Sequence, residues 1–310
     1  MPSSPALARR LLSRARGRWR DGQVRGQVAA ARFRRGVHLS AVAARIRAPE
    51  VAVLECRGGP DVSGLFSEFA AVVGLLDHYE RWRHLYAGVK VDFPHGLYFD
   101  AEVGANWWDY YFAPIDIRDR PEARARTINP HYHDLCANRV ERTMPRITGA
   151  ALVQRYVVAK PAIHGLVDAF VGAHWTDHYV IGVHYRGTDK SDDARRVPYE
   201  EVESVVRDAM RGARTARCRV FLATDEQAFV DFMRARFPAQ LCYREIFRSI
   251  DGRPIDVENA DGNYQKGLDA VVDCLLLSRA HTLIRTASNL SLCSTLFNPS
   301  LPDRLLNPER

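Results

Sequence analysis

The second half of the chain alternates short apolar runs with longer amphipathic stretches, and this rhythm constrains the fold more than any other feature. Apolar runs at 178–184, 218–223, 241–245 and 282–286 are separated by helical patterns at 198–211, 224–237, 266–278 and 288–296. Strands separated by helices and not by tight turns predict parallel pairing in an α/β fold. The punctuation agrees. Pro198 stands at a helix start, where a missing N–H is harmless. Thr224-Asp225-Glu226 opens the next helix with Thr or Asp as N-cap candidate, and Pro238 stops it. Asn298-Pro299 ends the last one.

The first half repeats the rhythm less clearly. Residues 51–56 (VAVLEC) read as a buried strand running into a glycine-rich loop. Ser63–Ser67 then opens a helix through about Leu76, and Gly88–Phe93 is the next strand. Asn106–Phe112 gathers two Trp, two Tyr and a Phe around one Asp. Such density reads as core or interface packing, with a sugar platform as the functional alternative. Residues 117–128 read as a charged surface loop. Residues 134–172 read as helical, interrupted at Pro145 and Pro161, with a long helix ending near His174. The boundary falls there: an arm at 1–48, a first lobe at 49–150 and a second lobe at 151–310.

Charge narrows the function classes. Residues 1–50 carry 12 Arg and no Lys against Asp21 and Glu50, a net +10; the whole chain is +7, so the remainder is −3. The basic character belongs to the arm and not to a folded face, so no nucleic-acid partner is expected. Leu7, Leu11, Leu12 and Trp19 among the arginines read either as an amphipathic helix on anionic membrane or as a solvated arm. No apolar run reaches the length of about 20 residues that spans a bilayer, and no cleaved signal peptide is expected. The six cysteines form no C-x-x-C pair, which fits buried thiols in a cytoplasmic protein, peripheral at most to the inner membrane.

Three polar segments follow predicted parallel strands: His184–Lys190, Ala223–Glu226 and Thr286–Asn289. Open α/β sheets place ligands at that edge. Arg186 offers a planar fork for phosphate oxygens. Ser288, Asn289 and the helix start beside them offer neutral donors. Fixed cations and helix-end dipoles stabilise a departing diphosphate without a metal. The chain has no D-x-D motif, and no metal site is assigned. His131 and His133 share a face if extended, but lack a third ligand.

Val183-His184-Tyr185-Arg186-Gly187-Thr188-Asp189-Lys190 resembles the H-x-R-R-T-D-K segment of α-1,6-fucosyltransferases, including the rhizobial nodulation fucosyltransferases. Phe221–Glu226, Leu268–Ser278 and Ala280–Ser288 are similar to later segments of that family, in order and spacing. Gly64–Glu68 is similar, more distantly, to its N-terminal glycine-rich loop. The resemblance implies a GT-B fold of two Rossmann-like lobes with a cleft between them. It implies GDP-fucose as donor substrate, no other cofactor, and an inverting transfer to a hydroxyl of a glycan, lipid-linked or protein acceptor. Carried across, His184 helps hold the nucleotide and Arg186 binds the β-phosphate. Thr224 and Asp225 belong to the second segment, Asp273 recognises the base or is a satisfied core charge, and Ser288, Asn289 and Gly64 line the donor. The family's second Arg is Gly187 here, one cation fewer. This keeps open another nucleotide sugar, or a non-catalytic binding module.

Inversion needs a base for the acceptor proton. Counting back from Pro198-Tyr199-Glu200-Glu201 along the family pattern gives Asp193, with Asp192 beside it. The bland reading of both is a solvated loop pair. Asp109 and Glu68 of the first lobe are the second candidates. Asp225 has a bland reading too, as an N-cap.

Overall fold

The computed structural model describes residues 52–57, 63–119, 127–128, 140, 144–187, 195–213, 217–250, 252 and 262–308. Asp192, Asp193, His131, His133, Cys136 and the basic arm lie outside them.

The second half builds a five-stranded sheet. Its strands are β5 (Tyr179–Tyr185), β6 (Cys218–Thr224), β7 (Leu241–Tyr243), β8 (Thr282–Arg285) and β9 (Asp303–Leu305). They lie in the order β7-β6-β5-β8-β9, and every pair is parallel. Counted within the lobe this is the order 3-2-1-4-5 of the doubly wound nucleotide-binding fold, whose direction reverses between the first and fourth strands. The reversal therefore lies between β5 and β8. The crossover helices are α5 (Tyr199–Gly212), α6 (Gln227–Arg236) and α7 (Gly262–Ser278), with α8 (Asn289–Phe297) leading to β9.

Alternation along β5 sends its two faces into different cores. Val180 joins the apolar cluster that also holds α7 residues, while Ile181, Val183 and Tyr185 join the cluster under α5 and α6. His184 has the parity of Val180 and faces the α7 side.

The first half forms a smaller sheet in the order β3-β2-β1-β4. β1 (Ala52–Cys56) pairs in parallel with β2 (Tyr86–Val91) and β4 (Thr127–Ile128). β3 (Asp116–Arg118) is antiparallel to β2. The loop expected at 117–128 is thus partly strand: Asp116 and Arg118 are exposed edge residues whose charges mask the pairing. The same masking hides β9. Helix α1 (Leu65–Arg81) runs five residues past Leu76. Fully buried Tyr79 continues its apolar face, and the Arg81–Asp77 pair at 3.0 Å closes its last turn.

The aromatic segment packs as core. Trp108, Tyr111 and Phe112 are fully buried around the short helix α2 (Trp108–Tyr111). Phe69 stacks on Trp108 at 5.7 Å and also meets Phe297 of α8 at 5.6 Å. One apolar cluster therefore runs from the first sheet across α1 and α8 to the second sheet. Two helices, α3 (Arg146–Tyr156) and α4 (Pro161–His174), carry the chain between the sheets. Polar ties cross the same seam. Tyr111 donates to the Tyr264 carbonyl at 2.9 Å, and Asn263 donates to the Phe99 carbonyl at 3.0 Å. A Cβ on Gly267 would stand 2.1 Å from the Tyr111 hydroxyl, so only glycine admits this approach of α7. Cys56, Cys218, Cys242, Cys274 and Cys293 are buried free thiols, packed as small hydrophobes.

Candidate functional site

The described parts of the three strand-end segments converge; Thr188–Lys190 lie outside the described residues. In the sheet register His184 is opposite both Ala223 and Arg285. The Arg186 amide donates to Thr286 Oγ1 at 2.9 Å, directly across the β5/β8 reversal. The Thr286 amide returns a bond to the His184 carbonyl at 3.0 Å. On the other side, the Gly187 amide donates to Asp225 Oδ1 at 3.0 Å. Arg186 is thereby fixed by its backbone from both neighbouring strands. Its guanidinium Nε stands 3.9 Å from Asp225 Oδ2, beyond hydrogen-bond length, on a side chain about one-quarter exposed.

Asp225 is not the N-cap of α6. The cap position belongs to Glu226, with no side-chain cap bond. The Asp225 carboxylate is drawn instead to the Gly187 amide, and its carbonyl accepts from Ser249 at 2.9 Å. Thr224 Oγ1 accepts from the Glu226 amide at 3.2 Å and closes the same turn. Both residues brace the Arg186 loop.

Ser288 caps α8: its Oγ accepts from the Leu290 amide at 3.3 Å. That geometry uses a lone pair and leaves the hydroxyl proton to donate. Asn289 follows with a buried Oδ1 that has no partner. His184 is 6% exposed, and its Nδ1 is likewise buried and unpartnered. Burial, reinforced by the Arg186 and Arg285 cations, pushes its pKa down to about 3, so the imidazole is neutral at pH 7. Buried polar atoms are nearly always paired in folded proteins. Two such orphans, His184 Nδ1 and Asn289 Oδ1, stand at the ends of β5 and β8.

Asp273 sits on α7, almost fully buried, with Oδ1 3.4 Å from Arg244 Nη1. Burial raises its pKa to about 6 against the pull of Arg244 and Arg248. Arg244 also donates to Asp269 Oδ1 at 2.7 Å. The carboxylate is thus part of a two-acid, two-cation cluster just past β7.

Gly187 has a local explanation. A Cβ there would lie 2.0 Å from Glu226 Oε2 and 2.7 Å from its Cδ. Where the resembling family carries a second Arg, this chain packs a carboxylate, whose other oxygen accepts from Arg196 Nη2 at 2.7 Å. Glu226 Oε2 is buried without a partner. Neither Glu226 nor Arg196 stands out in the sequence beyond the motif edge. Asn307 gave no signal at all. It accepts from the Ala287 amide at 2.7 Å and donates to the Arg195 carbonyl at 2.7 Å, tying two strand-end loops together.

In the first lobe, Gly64 is the N-cap of α1 without a side-chain bond. Glu68, one turn on, is 6% exposed with Oε2 unpartnered, and burial raises its pKa to about 7. The start of α1 touches α8, where the Cys293 thiol approaches the Phe66 carbonyl at 3.9 Å. Asp109 Oδ1 is also unpartnered, and burial raises that carboxyl too.

Residues 148–309, the part of the chain that holds this strand edge, match the family model of Nodulation protein Z (NodZ). The chain belongs to the NodZ family. A curated relative, Nodulation protein Z of Sinorhizobium fredii, is 28% identical over 137 residues. The match spans 42% of either protein, so less than half the length of that relative is covered. Among solved structures, a NodZ alpha-1,6-fucosyltransferase soaked with GDP-fucose aligns with a TM-score of 0.57 at 18% identity, over 81% of this chain and 93% of that one. The fucosyltransferase NodZ from Bradyrhizobium aligns with 0.57 at 17% identity, over 82% and 94%. These likenesses give the NodZ-family chain a GT-B fold, as its motifs imply.

Proposed function

We propose that this NodZ-family chain is an inverting, metal-independent glycosyltransferase that moves L-fucose from GDP-fucose to a hydroxyl of a glycan or other acceptor. The observation that carries this reading is the fixing of Arg186 across the β5/β8 reversal by Thr286 and Asp225. A preorganised cation at that crevice meets the charge that develops on a departing diphosphate. His184 Nδ1 and Asn289 Oδ1 are unpaired there, and Ser288 keeps a proton to donate. Asp273 is assigned to the base edge, its carboxylate oriented by Arg244. Gly64 opens the facing lobe.

The acceptor proton goes to Asp193, or to Asp192 beside it, on the family spacing. Glu68 is the second reading, favoured by its burial, its unpartnered oxygen and a pKa of about 7, all suited to general-base work near neutrality. Asp193→Asn and Glu68→Gln separate the two, since only the true base loses kcat with an unchanged donor KM.

Arg186→Ala should lower transfer about 10²–10³-fold while circular dichroism stays native. Unaltered transfer would refute the assignment. In a thermal-shift series GDP should stabilise the protein most; a UDP preference would overturn the donor. The basic arm, residues 1–48, is assigned to anionic membrane. Deleting residues 1–45 should abolish co-sedimentation with anionic vesicles, and undiminished binding would remove that role.

A further inference from the structure

Asn307 follows β9 and meets the strand edge from behind. It is buried, and both ends of its side-chain amide are engaged by the protein. Oδ1 accepts from the Ala287 amide at 2.7 Å, and Nδ2 donates to the Arg195 carbonyl at 2.7 Å. The β8/β9 ladder delivers it there. The Leu306 amide donates to the Arg285 carbonyl at 2.9 Å, one residue beyond the last paired position of β9.

The bond to Ala287 falls on a sensitive peptide plane. That plane joins Thr286, whose Oγ1 accepts from the Arg186 amide, to the turn ending in Ser288, the N-cap of α8. In a trans peptide the carbonyl and the N–H point to opposite sides. On the carbonyl side, fully buried Ser291 Oγ lies 3.1 Å from the Thr286 oxygen and 3.1 Å from the Ser288 oxygen, so α8 holds its own start. On the N–H side stands Asn307. The turn is tied to β5 through Thr286 and to α8 through Ser291; Asn307 anchors it from beyond β9.

We propose that Asn307 is a positioning residue for the diphosphate half of the donor site. This rests on the reading of the strand edge as a nucleotide-sugar site. The first amides of a helix have no intrahelical acceptor. Those of α8 are aimed at a phosphate only while the turn before them keeps its plane. Without Oδ1 the Ala287 N–H stays buried with no acceptor, or the plane rotates to find one. Rotation draws Thr286 Oγ1 away from the Arg186 amide. The guanidinium of Arg186 and the start of α8 then lose their common frame. Asn307 acts through Thr286 and Ser288 and not by contact, since its own amide is spent on Ala287 and Arg195.

Titration calorimetry of the full chain with GDP tests this, at a temperature where circular dichroism shows each variant folded. Asn307→Leu, close in volume but without the amide, should weaken GDP binding about three- to tenfold. Asn307→Ser is the milder change and carries the test should the leucine variant not fold; its loss should have the same sign. Val206→Ala opens a cavity in the apolar cluster under α5. It should lower the melting temperature and leave GDP affinity unchanged, which separates positioning from general destabilisation. Thr286→Val removes the Oγ1 acceptor, and its loss should not add to that of the Asn307 variant, because both act through one turn. Unchanged GDP affinity in the Asn307 variants would overturn the proposal and leave the donor reading standing. So would fully additive losses with Thr286→Val, or an equal loss of affinity in Val206→Ala. No GDP binding by the unsubstituted chain would instead remove the donor reading, and this proposal with it.

Discussion

The two lobes reach their function-bearing edges by different means. In the second lobe, polar groups at the ends of β5, β6 and β8 hold one another: Arg186 by Thr286, Gly187 by Asp225, Ala287 by Asn307. In the first lobe, buried carboxyls such as Glu68 and Asp109 stand with oxygens unpartnered among aromatic and aliphatic neighbours. The one set is held by hydrogen bonds, the other is surrounded by apolar packing. Burial disfavours the charged form in both places, so it raises an acid and lowers a base. Burial without cations pushes Glu68 up to about 7, whereas burial beside two arginines pushes His184 down to about 3.

The largest test of that contrast uses pH. Between its unfolded pKa near 4.5 and its folded value near 7, Glu68 is protonated only in the folded state. Stability from this group therefore falls as pH rises through that window, by about 3 kcal/mol in all. Glu68→Gln should flatten the decline, measured as the difference in urea midpoint between pH 4.5 and 8. His184 has the reverse sign: its neutral folded state gains stability as pH rises from about 3 to 6.5, so His184→Asn should steepen the net decline. Parallel curves for both variants would erase the distinction between the lobes.

Next in size is Gly187→Ala. Its Cβ must displace the Glu226 carboxylate, 2.0 Å away, an overpacking of about 1–3 kcal/mol. GDP-induced stabilisation should weaken with it, and Gly187→Ala with Glu226→Ala should recover both. No recovery would mean that the glycine serves something other than this contact. Asn307→Ala should cost about 1–3 kcal/mol, because it strands the buried Ala287 amide. The smallest effect belongs to Arg207→Ala. Its exposed pair with Glu203 is worth under about 1 kcal/mol, and a thermal melt should barely move.

Much of the second lobe was legible because its strands are buried on both faces and so read as continuous apolar runs. Val180, Ile181 and Val183 announce β5 without ambiguity, and the polar residues after it mark the edge. β3 and β9 were not legible. They are short edge strands flanked by Asp and Arg, and their identity rests on partners far away in the chain. The described motif residues gather at one strand edge, but what each of them bonds to is not written in the local sequence. Asp225 reads as a helix cap from its position, yet a backbone amide 38 residues upstream claims it. Asn307 and Arg244 act only through distant contacts, and no local pattern encodes those.

The carboxylate packed against Gly187 also bears on how such a chain can change. A bulkier residue cannot occupy that position while Glu226 keeps its place, because its Cβ alone produces a collision. Removing the glutamate first leaves Arg196 a cation without its counter-ion, a lesser burden since that side chain is about half exposed. Substitution at these two sites is thus ordered: the acid must leave before a larger side chain arrives, and the opposite order meets the collision at its first step.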